Sequence, residues 1–367
     1  MNSRFHVRSR VFGGRRARSA APLDDPPAAP AGGAATAPGA ATTATAQPPF
    51  PGAPAHPLTR GTDPVTIDTM AWDQAEKSAA YFVPGRRNLL VDAGSALSAP
   101  NLIRALDELD VERLDFVALT HIHPDQAGGA GLIAERFPEA TFLVHPDAAG
   151  HVADPSRLIA AMKAMGGERT VELFGRPRAV DPGRIRAVAG GERVDLGDRR
   201  LEAIATPGHT AAHLAWLDHR TEALFCGDAL GIRVPGSRVV RPATPPSDFS
   251  HRQALDSIQR LRATGAGLAL RSHFGPAGGG LEQECDRAAD TLNRWLASFR
   301  DKRDHAEDAE DLTRRFNATL EANLEPVGPA VRRSLELISP AWLNLAGMSQ
   351  EETRDGGIPG DSISDAA

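Results

Sequence analysis

Residues 119–129 read LTHIHPDQAGG. They place His121 and His123 one residue apart and Asp125 two residues further on, followed directly by Gln126. Imidazole nitrogens and carboxylates are the ligands that Zn²⁺ and Fe²⁺ take in catalytic sites, with at least one position left for water. A water held there loses its proton near neutral pH and becomes a nucleophile. Three more residues of the same chemistry lie downstream: His209 in TPGH, Asp228 in FCGD and His273 in RSH. One HxH pair alone is often two satisfied loop histidines. Six residues of metal-ligating type, each at the end of a short apolar run or in the loop that follows one, point to a metal centre.

Those apolar runs are the elements that must position them. AAYFV (79–83), NLLVDAG (88–94), LDFVALTH (114–121) and TFLVHP (141–146) read as buried strands. So do LEAIATPGH, HLAWLD, ALFCGD and GLALRSH, of which the first, third and fourth end at His209, Asp228 and His273. NLIRALDEL (101–109) and GAGLIAERFP (129–138) carry helical spacing between them. Strands alternating with helices give an α/β class, and polar residues at strand ends are where open sheets place their sites.

The outer parts of the chain differ. Residues 1–20 hold six arginines and no acid, and an Ala/Pro/Gly/Thr-rich stretch follows. Residues 1–60 are therefore expected to be a disordered tail, since such a composition buries too little apolar surface to offset chain entropy. An Arg-rich, acid-poor start also fits an organellar import segment. Residues 61–280 are the expected catalytic domain, 281–348 a helical extension, and 349–367 a disordered polar tail. A net charge of −6 gives no reason to expect a nucleic-acid partner, and no apolar run reaches the ~18 residues of a membrane span. The two cysteines, Cys226 and Cys285, lie in no CxxC pattern, which fits a reducing compartment such as the cytoplasm. The expected partner is a small-molecule substrate, and no oligomeric state is read from the chain.

With Asp92 in LVDAG, the six residues resemble the five ordered motifs of the metallo-β-lactamase superfamily, including its common H-x18-D spacing between His209 and Asp228. The resemblance covers about residues 61–280. Further segments, among them HPDAAGHVADPSRL, TPGHTAAHLAW, ATPPSDF and SPAWLNLAG, look like a glyoxalase II-like hydrolase subfamily of archaeal and actinobacterial type. That subfamily also carries a helical C-terminal extension. The resemblance implies a four-layer αβ/βα sandwich and two adjoining metal sites. His121, His123, His209 and the bridging Asp228 would form the first. Asp125, position 126, His273 and Asp228 would form the second, with Asp92 behind the ligands fixing their loop. The pattern has a third histidine at 126. A glutamine there offers only a neutral amide, a weaker ligand for zinc or ferrous iron, so an intact first site and a weakened second one are expected.

The implied activity is hydrolysis of an ester, thioester or lactone with one or two zinc ions, Asp125 and Asp228 being the catalytic carboxylates. Two other readings stand beside it. Persulfide dioxygenases share the fold and hold one iron with two histidines and an aspartate, a set that His121, His209 and Asp228 supply. A non-catalytic protein with a vestigial metal site is the third. Arg233 and Arg241, shortly after Asp228, are candidate contacts for an anionic substrate group. The single tyrosine, Tyr81, speaks against a glutathione thioester, because glyoxalase II enzymes surround glutathione with tyrosines and basic residues.

Overall fold

A computed structural model describes residues 63–246, 248–276 and 279–356. The tail expected over residues 1–60 lies outside them. Two six-stranded sheets form the frame. The first runs in chain order: β1 (Val65–Asp68), β2 (Ala79–Val83), β3 (Leu89–Val91), β4 (Phe116–Ala118), β5 (Thr141–Val144) and β6 (Ile185–Ala187). It is antiparallel from β1 to β3 and parallel from β3 to β6. The second holds β7 (Arg193–Asp195), β8 (Arg200–Ala205), β9 (Leu214–Asp218), β10 (Ala223–Gly227), β11 (Leu268–Arg271) and β12 (Gly275–Pro276). It is antiparallel except for the β10–β11 pair.

Side-chain alternation along these strands builds the layers. Tyr81, Val83, Leu89, Val91, Ala118 and Leu143 point inward from the first sheet and meet Leu214, Trp216, Phe225 and Leu270 of the second in one core. The intervening residues Phe82, Leu90, Val117 and Phe142 point outward against helices Ala99–Glu108, Ala130–Arg136 and Pro146–Ala153. On the far side, Ala215, Leu224 and Cys226 pack under helices His251–Ala263 and Leu281–Arg303. Strands buried on both faces read as continuous apolar runs, which is how they appear in the sequence. The architecture is the helix–sheet–sheet–helix sandwich expected.

The expected boundary near residue 281 does not separate two bodies. Helix Leu281–Arg303 uses Leu281, Cys285 and Ala288 to complete the outer layer of the second sheet. Its other half, with Leu292, Trp295, Leu296 and Phe299, starts a further core with Phe316, Leu345, Met348 and Phe249. The rest of the extension is Ala309–Thr319, a short π-helical turn at Leu320–Leu324, Pro329–Ile338 and Ala341–Gly356. Pro340 separates the last two. The tail expected to fray from residue 349 is instead helical through Gly356, and Met348 and Glu351 on that helix are buried. Among the described residues, no helix is long and apolar enough to cross a membrane.

Trp295 is fully buried, with its ring centroid 5.1 Å from that of Phe316 and the Arg241 guanidinium 5.6 Å away on the ring. Trp295→Ala is expected to lower unfolding free energy by about 3–5 kcal/mol, read from denaturant titration. A loss below about 1 kcal/mol would show that this core does not hold the extension in place.

Candidate metal centre

The candidate ligands sit just beyond strands β4, β8, β10 and β11. After β4 the chain runs through His121 to His123, whose extended backbone starts a short helix at Pro124. Proline at the first helical position has its φ already set, and this turn carries Asp125 and Gln126. His209 follows Pro207 and Gly208. Gly208 lies at φ 138°, and a Cβ there would come within 2.4 Å of the Ala254 backbone, so glycine lets helix His251–Ala263 press against the loop. Asp228 follows β10 directly, and His273 follows β11 after Ser272.

These turns bring the side chains together. Ligand atoms of His121, His123 and His209 all lie within 4.8 Å of one another. His209 Nε2 is 2.9 Å from His123 Nδ1. Asp228 Oδ2 stands 3.9 Å from His121 Nε2, 3.5 Å from His209 Nε2 and 3.8 Å from His273 Nε2, so one carboxylate reaches both halves of the site. On the second half, His273 Nε2 is 3.1 Å from Asp125 Oδ2 and 2.9 Å from Gln126 Nε2.

The far nitrogens are anchored. His209 Nδ1–H donates to the Ala243 carbonyl at 2.9 Å, and His273 Nδ1–H to the Lys77 carbonyl at 2.7 Å. His121 Nδ1 lies 3.0 Å from Thr120 Oγ1, which is 3.0 Å from either Asp92 oxygen. These bonds leave each Nε2 free to face the site. His213 is held from behind by Thr206 at 2.7 Å, and its Nε2 accepts the Asp228 backbone N–H at 3.2 Å. It orients a ligand residue and stands outside the cluster. Gly227, at φ 53°, leaves room for it, since a Cβ there would meet His213 Nε2 at 2.5 Å.

The donor set fits a divalent metal in the first half. His121 Nε2 and Asp228 Oδ1 are buried without any hydrogen-bond partner, a cost that a coordinated cation removes. Three imidazoles and a carboxylate are what such an ion takes. The second half is different. With Nδ1 of His273 donating to the Lys77 carbonyl, its Nε2 lies between Asp125 Oδ2 and the Gln126 side-chain amide, so the nitrogen that would face a second ion is already engaged. Gln126 is itself buried, with Oε1 unpartnered.

Burial and neighbouring charge set the protonation states. Burial, with His123 adding to it against the pull of Asp228, holds His209 down at about 4. His121 and His213 are pushed well below the ordinary range by burial and by neighbouring imidazoles, and burial also lowers His123. Burial acts against a charged His273 too, but the carboxylates of Asp228 and Asp125 outweigh it and raise it to about 9. Burial works to raise Asp125, yet His273 overcomes it and brings the carboxyl down to about 2. Asp92 is pushed up to about 7 by burial, against hydrogen bonds from Thr120 and Ser272. Burial lifts the Cys226 thiol to about 12, which leaves it an inert core side chain.

Arg233 and Arg241, the expected substrate contacts, are engaged elsewhere in the structure. Arg241 is fully buried, with Nε 2.9 Å from Glu325 and Nη1 2.7 Å from Glu336, both in the C-terminal extension. Arg233 pairs with buried Glu284 at 3.6 Å, and neither arginine lines the cleft. Nearness to Asp228 in sequence suggested a role that partners more than eighty residues away from Arg241 overrule. The cleft over the site is instead walled by residues that sequence reasoning did not assign: Met165, Phe174, Ile338, Ser339 and Asn344. Leu343 and the Thr244–Pro245 turn join them.

The family model described as the metallo-beta-lactamase superfamily matches residues 74–273. The chain belongs to that superfamily. A hydroxyacylglutathione hydrolase of Acidiphilium cryptum is 32% identical over 167 residues, 46% of this chain and 51% of the relative. The metallo-beta-lactamase fold-containing protein ST1585 of Sulfurisphaera tokodaii is 28% identical over 189 residues, 50% of this chain and 68% of the relative. The chain thus spans about half the length of the first of these relatives and two thirds of the second. The solved structure of ST1585 from Sulfolobus tokodaii shares the fold, with a TM-score of 0.55 at 22% identity over 75% of this chain and 93% of that one. This superfamily member gathers His121, His123 and His209 beside Asp228 and carries Gln126 directly after Asp125.

Two measurements test the centre. Elemental analysis should find about one metal per chain in the wild type and about two in Gln126→His, because an amide is the weaker ligand. Two metals in both proteins would show that Gln126 does not close the second position. The second measurement is melting temperature against pH in chelator. Histidines with depressed pKa stabilise the fold above 6.5, and this stability is lost as pH falls, for His209 down to about 4. Asp92 and Asp228, raised by burial, act oppositely in the acid range, but the four depressed histidines outnumber them. His273 contributes stability that is full below 6.5 and lost as pH rises through about 9. The metal-free protein should therefore melt highest near pH 6–7. A melting temperature that climbs steadily from pH 7 to pH 4 would contradict this balance.

Proposed function

We propose that this chain is a zinc-dependent hydrolase of an ester, thioester or lactone. The observation that carries the reading is the first-site cluster, with anchored imidazoles, the unpartnered His121 Nε2 and Asp228 Oδ1, and an open cleft above. His121, His123, His209 and Asp228 would hold the ion. A divalent metal there supplies an acidified water and a Lewis acid for a carbonyl oxygen.

The protein's own residues do the rest. Asp125 lines the cleft beside the cluster and is held ionised by His273 at 3.1 Å. An ionised carboxylate only accepts hydrogen bonds, so it turns a water's lone pair towards the substrate and receives the proton as attack proceeds. His213 fixes the Asp228 backbone, and Ala243 fixes the His209 ring. The relative named as a hydroxyacylglutathione hydrolase, and one named Thioesterase pkgB from Emericella nidulans at 28% identity over 158 residues, support hydrolysis at an acyl centre.

A second reading has a specific observation in its favour. The Gln126–His273 contact leaves a single complete site, and His121, His209 and Asp228 are a two-histidine, one-carboxylate set suited to ferrous iron. Iron in the purified protein together with oxygen uptake on a persulfide would favour that reading over hydrolysis.

With zinc loaded and an ester and thioester panel as substrate, Asp125→Asn is expected to lower kcat by ~10²–10⁴-fold while metal content stays near the wild-type value. His121→Ala should lose both metal and activity. Wild-type turnover in Asp125→Asn would remove the carboxylate from the chemistry.

A further inference from the structure

The walls of the cleft point to a substrate class, on the premise that the hydrolase reading holds. We propose that the site takes an ester or thioester with an uncharged, apolar acyl chain, seated against the C-terminal helices. Water adds across the acyl C–O or C–S bond: the acyl carbon gains the hydroxyl and the leaving oxygen or sulfur takes the proton.

Three observations support this. The side chains above the polar floor are Met165, Phe174, Ile232, Pro245, Ile338 and Leu343. They come from three separate parts of the chain, and Phe174 is braced edge-on by Trp72, with centroids 5.8 Å apart. The polar residues on the same wall are already engaged with one another. Asn344 Oδ1 accepts the Thr244 N–H at 2.7 Å, and its Nδ2 donates to Ser339 Oγ at 2.8 Å. They hold the wall in shape and leave it apolar towards the ligand.

One of the large apolar side chains left in solvent lines this mouth. Five are exposed among the described residues: Leu97, Leu109, Met165, Leu173 and Trp342. Met165 lines the cleft, and Leu173 and Trp342 are chain neighbours of the lining residues Phe174 and Leu343. The Leu97 N–H donates to the Phe174 carbonyl at 2.9 Å. Met165, exposed on the rim of an apolar wall, extends the surface that a ligand would cover.

The third observation is charge. No lysine or arginine lines the cleft among the described residues. Arg241 is spent on Glu325 and Glu336, Arg271 on Glu284 at 2.8 Å, and Arg233 is drawn to that same carboxylate. The site's own carboxylates, Asp125 and Asp228, balance a divalent ion. An anionic conjugate such as a glutathione thioester would find no lysine or arginine there to pair with, and Tyr81 is buried against the Arg271 carbonyl, away from the cleft.

The test uses the full chain in two forms. On the zinc-loaded protein, kcat/KM is measured for p-nitrophenyl acetate, butyrate and octanoate and for S-D-lactoylglutathione. A rise of at least ~10-fold from acetate to octanoate is expected, since each buried methylene adds discrimination, with the glutathione thioester poorest. On the metal-free protein, calorimetry follows binding of N-methyloctanamide, a neutral amide of the eight-carbon acyl chain with no ester to cleave. It should bind wild type, and Leu343→Asp and Met165→Asp should each abolish binding with the far-UV spectrum unchanged. If a variant loses its fold, Leu343→Ala takes its place, with weakened binding expected. A flat chain-length profile, a preference for lactoylglutathione, or no binding of the octanamide overturns the proposal. Octanamide binding without turnover of any ester would uphold the apolar site and overturn the hydrolase reading instead.

Discussion

Asp92 is the interaction on which the rest of the centre depends. It is buried at the end of β3, and its Oδ1 accepts the Thr120 backbone N–H at 2.8 Å while Oδ2 accepts the Ser272 hydroxyl at 2.7 Å. Thr120 immediately precedes His121 in the first sheet's loop, and Ser272 immediately precedes His273 in the second. One carboxylate thus ties together the chain neighbours of two candidate ligands that come from different sheets. A buried carboxylate with no such partners would be too costly to keep. Here three hydrogen-bonding groups meet it, and burial still lifts it to about 7. Its φ of 62° lies in the left-handed region, where aspartate is among the better-tolerated side chains. Backbone strain of that kind persists where the surroundings over-determine it, and the joint between the two sheets is such a place.

From this joint outward, the imidazoles of His121, His209 and His273 are held by their far nitrogens, and the holders come from unexpected parts of the chain. The Ala243 carbonyl that fixes His209 lies between Arg241 and Thr244, and both are gripped by the C-terminal helices. Arg241 is enclosed by Glu325, Glu336 and the Ser339 carbonyl, and Thr244 is bound twice to Asn344. A fully desolvated arginine is tolerated only with such complete pairing, and removing one partner would leave a buried charge. The extension therefore does more than add core: it fixes the segment that orients a candidate ligand and supplies one wall of the cleft.

Much of this could be read from residue order, and the reasons differ for the part that could not. Strands buried on both faces are continuous apolar runs, so β2, β4, β5, β9 and β10 were visible as such, and the strand-end histidines and aspartates with them. Short strands such as β6 and β7, with exposed residues, carry no comparable signal. Arg241 was misread because composition near Asp228 cannot report a glutamate 84 residues away. The boundary drawn near 281 falls at the start of one helix whose single apolar stripe serves two cores with its two halves, which spacing alone does not reveal. The end at 348 was misread because a polar surface looks like a frayed tail when one face of it is docked. The cleft wall escaped notice because Met165, Phe174 and Ile338 are ordinary helix residues until the fold places them side by side.

Gln126 closes the argument about the site. Metal sites tolerate the loss of a ligand badly when the remaining ones are left unpaired, because the freed carboxylate and imidazole must then be buried alone. That has not happened here. Asp125 faces His273 at 3.1 Å, the Gln126 amide faces the same nitrogen at 2.9 Å, and the Lys77 carbonyl anchors the ring from behind. In the second half of the site Asp125 and His273 thus pair with each other, while Gln126 Oε1 is left without a partner. This half still presents an ionised carboxylate to the cleft beside an intact first half. The unpartnered nitrogen, that of His121, is on the first side only, which is where a single ion would complete the structure.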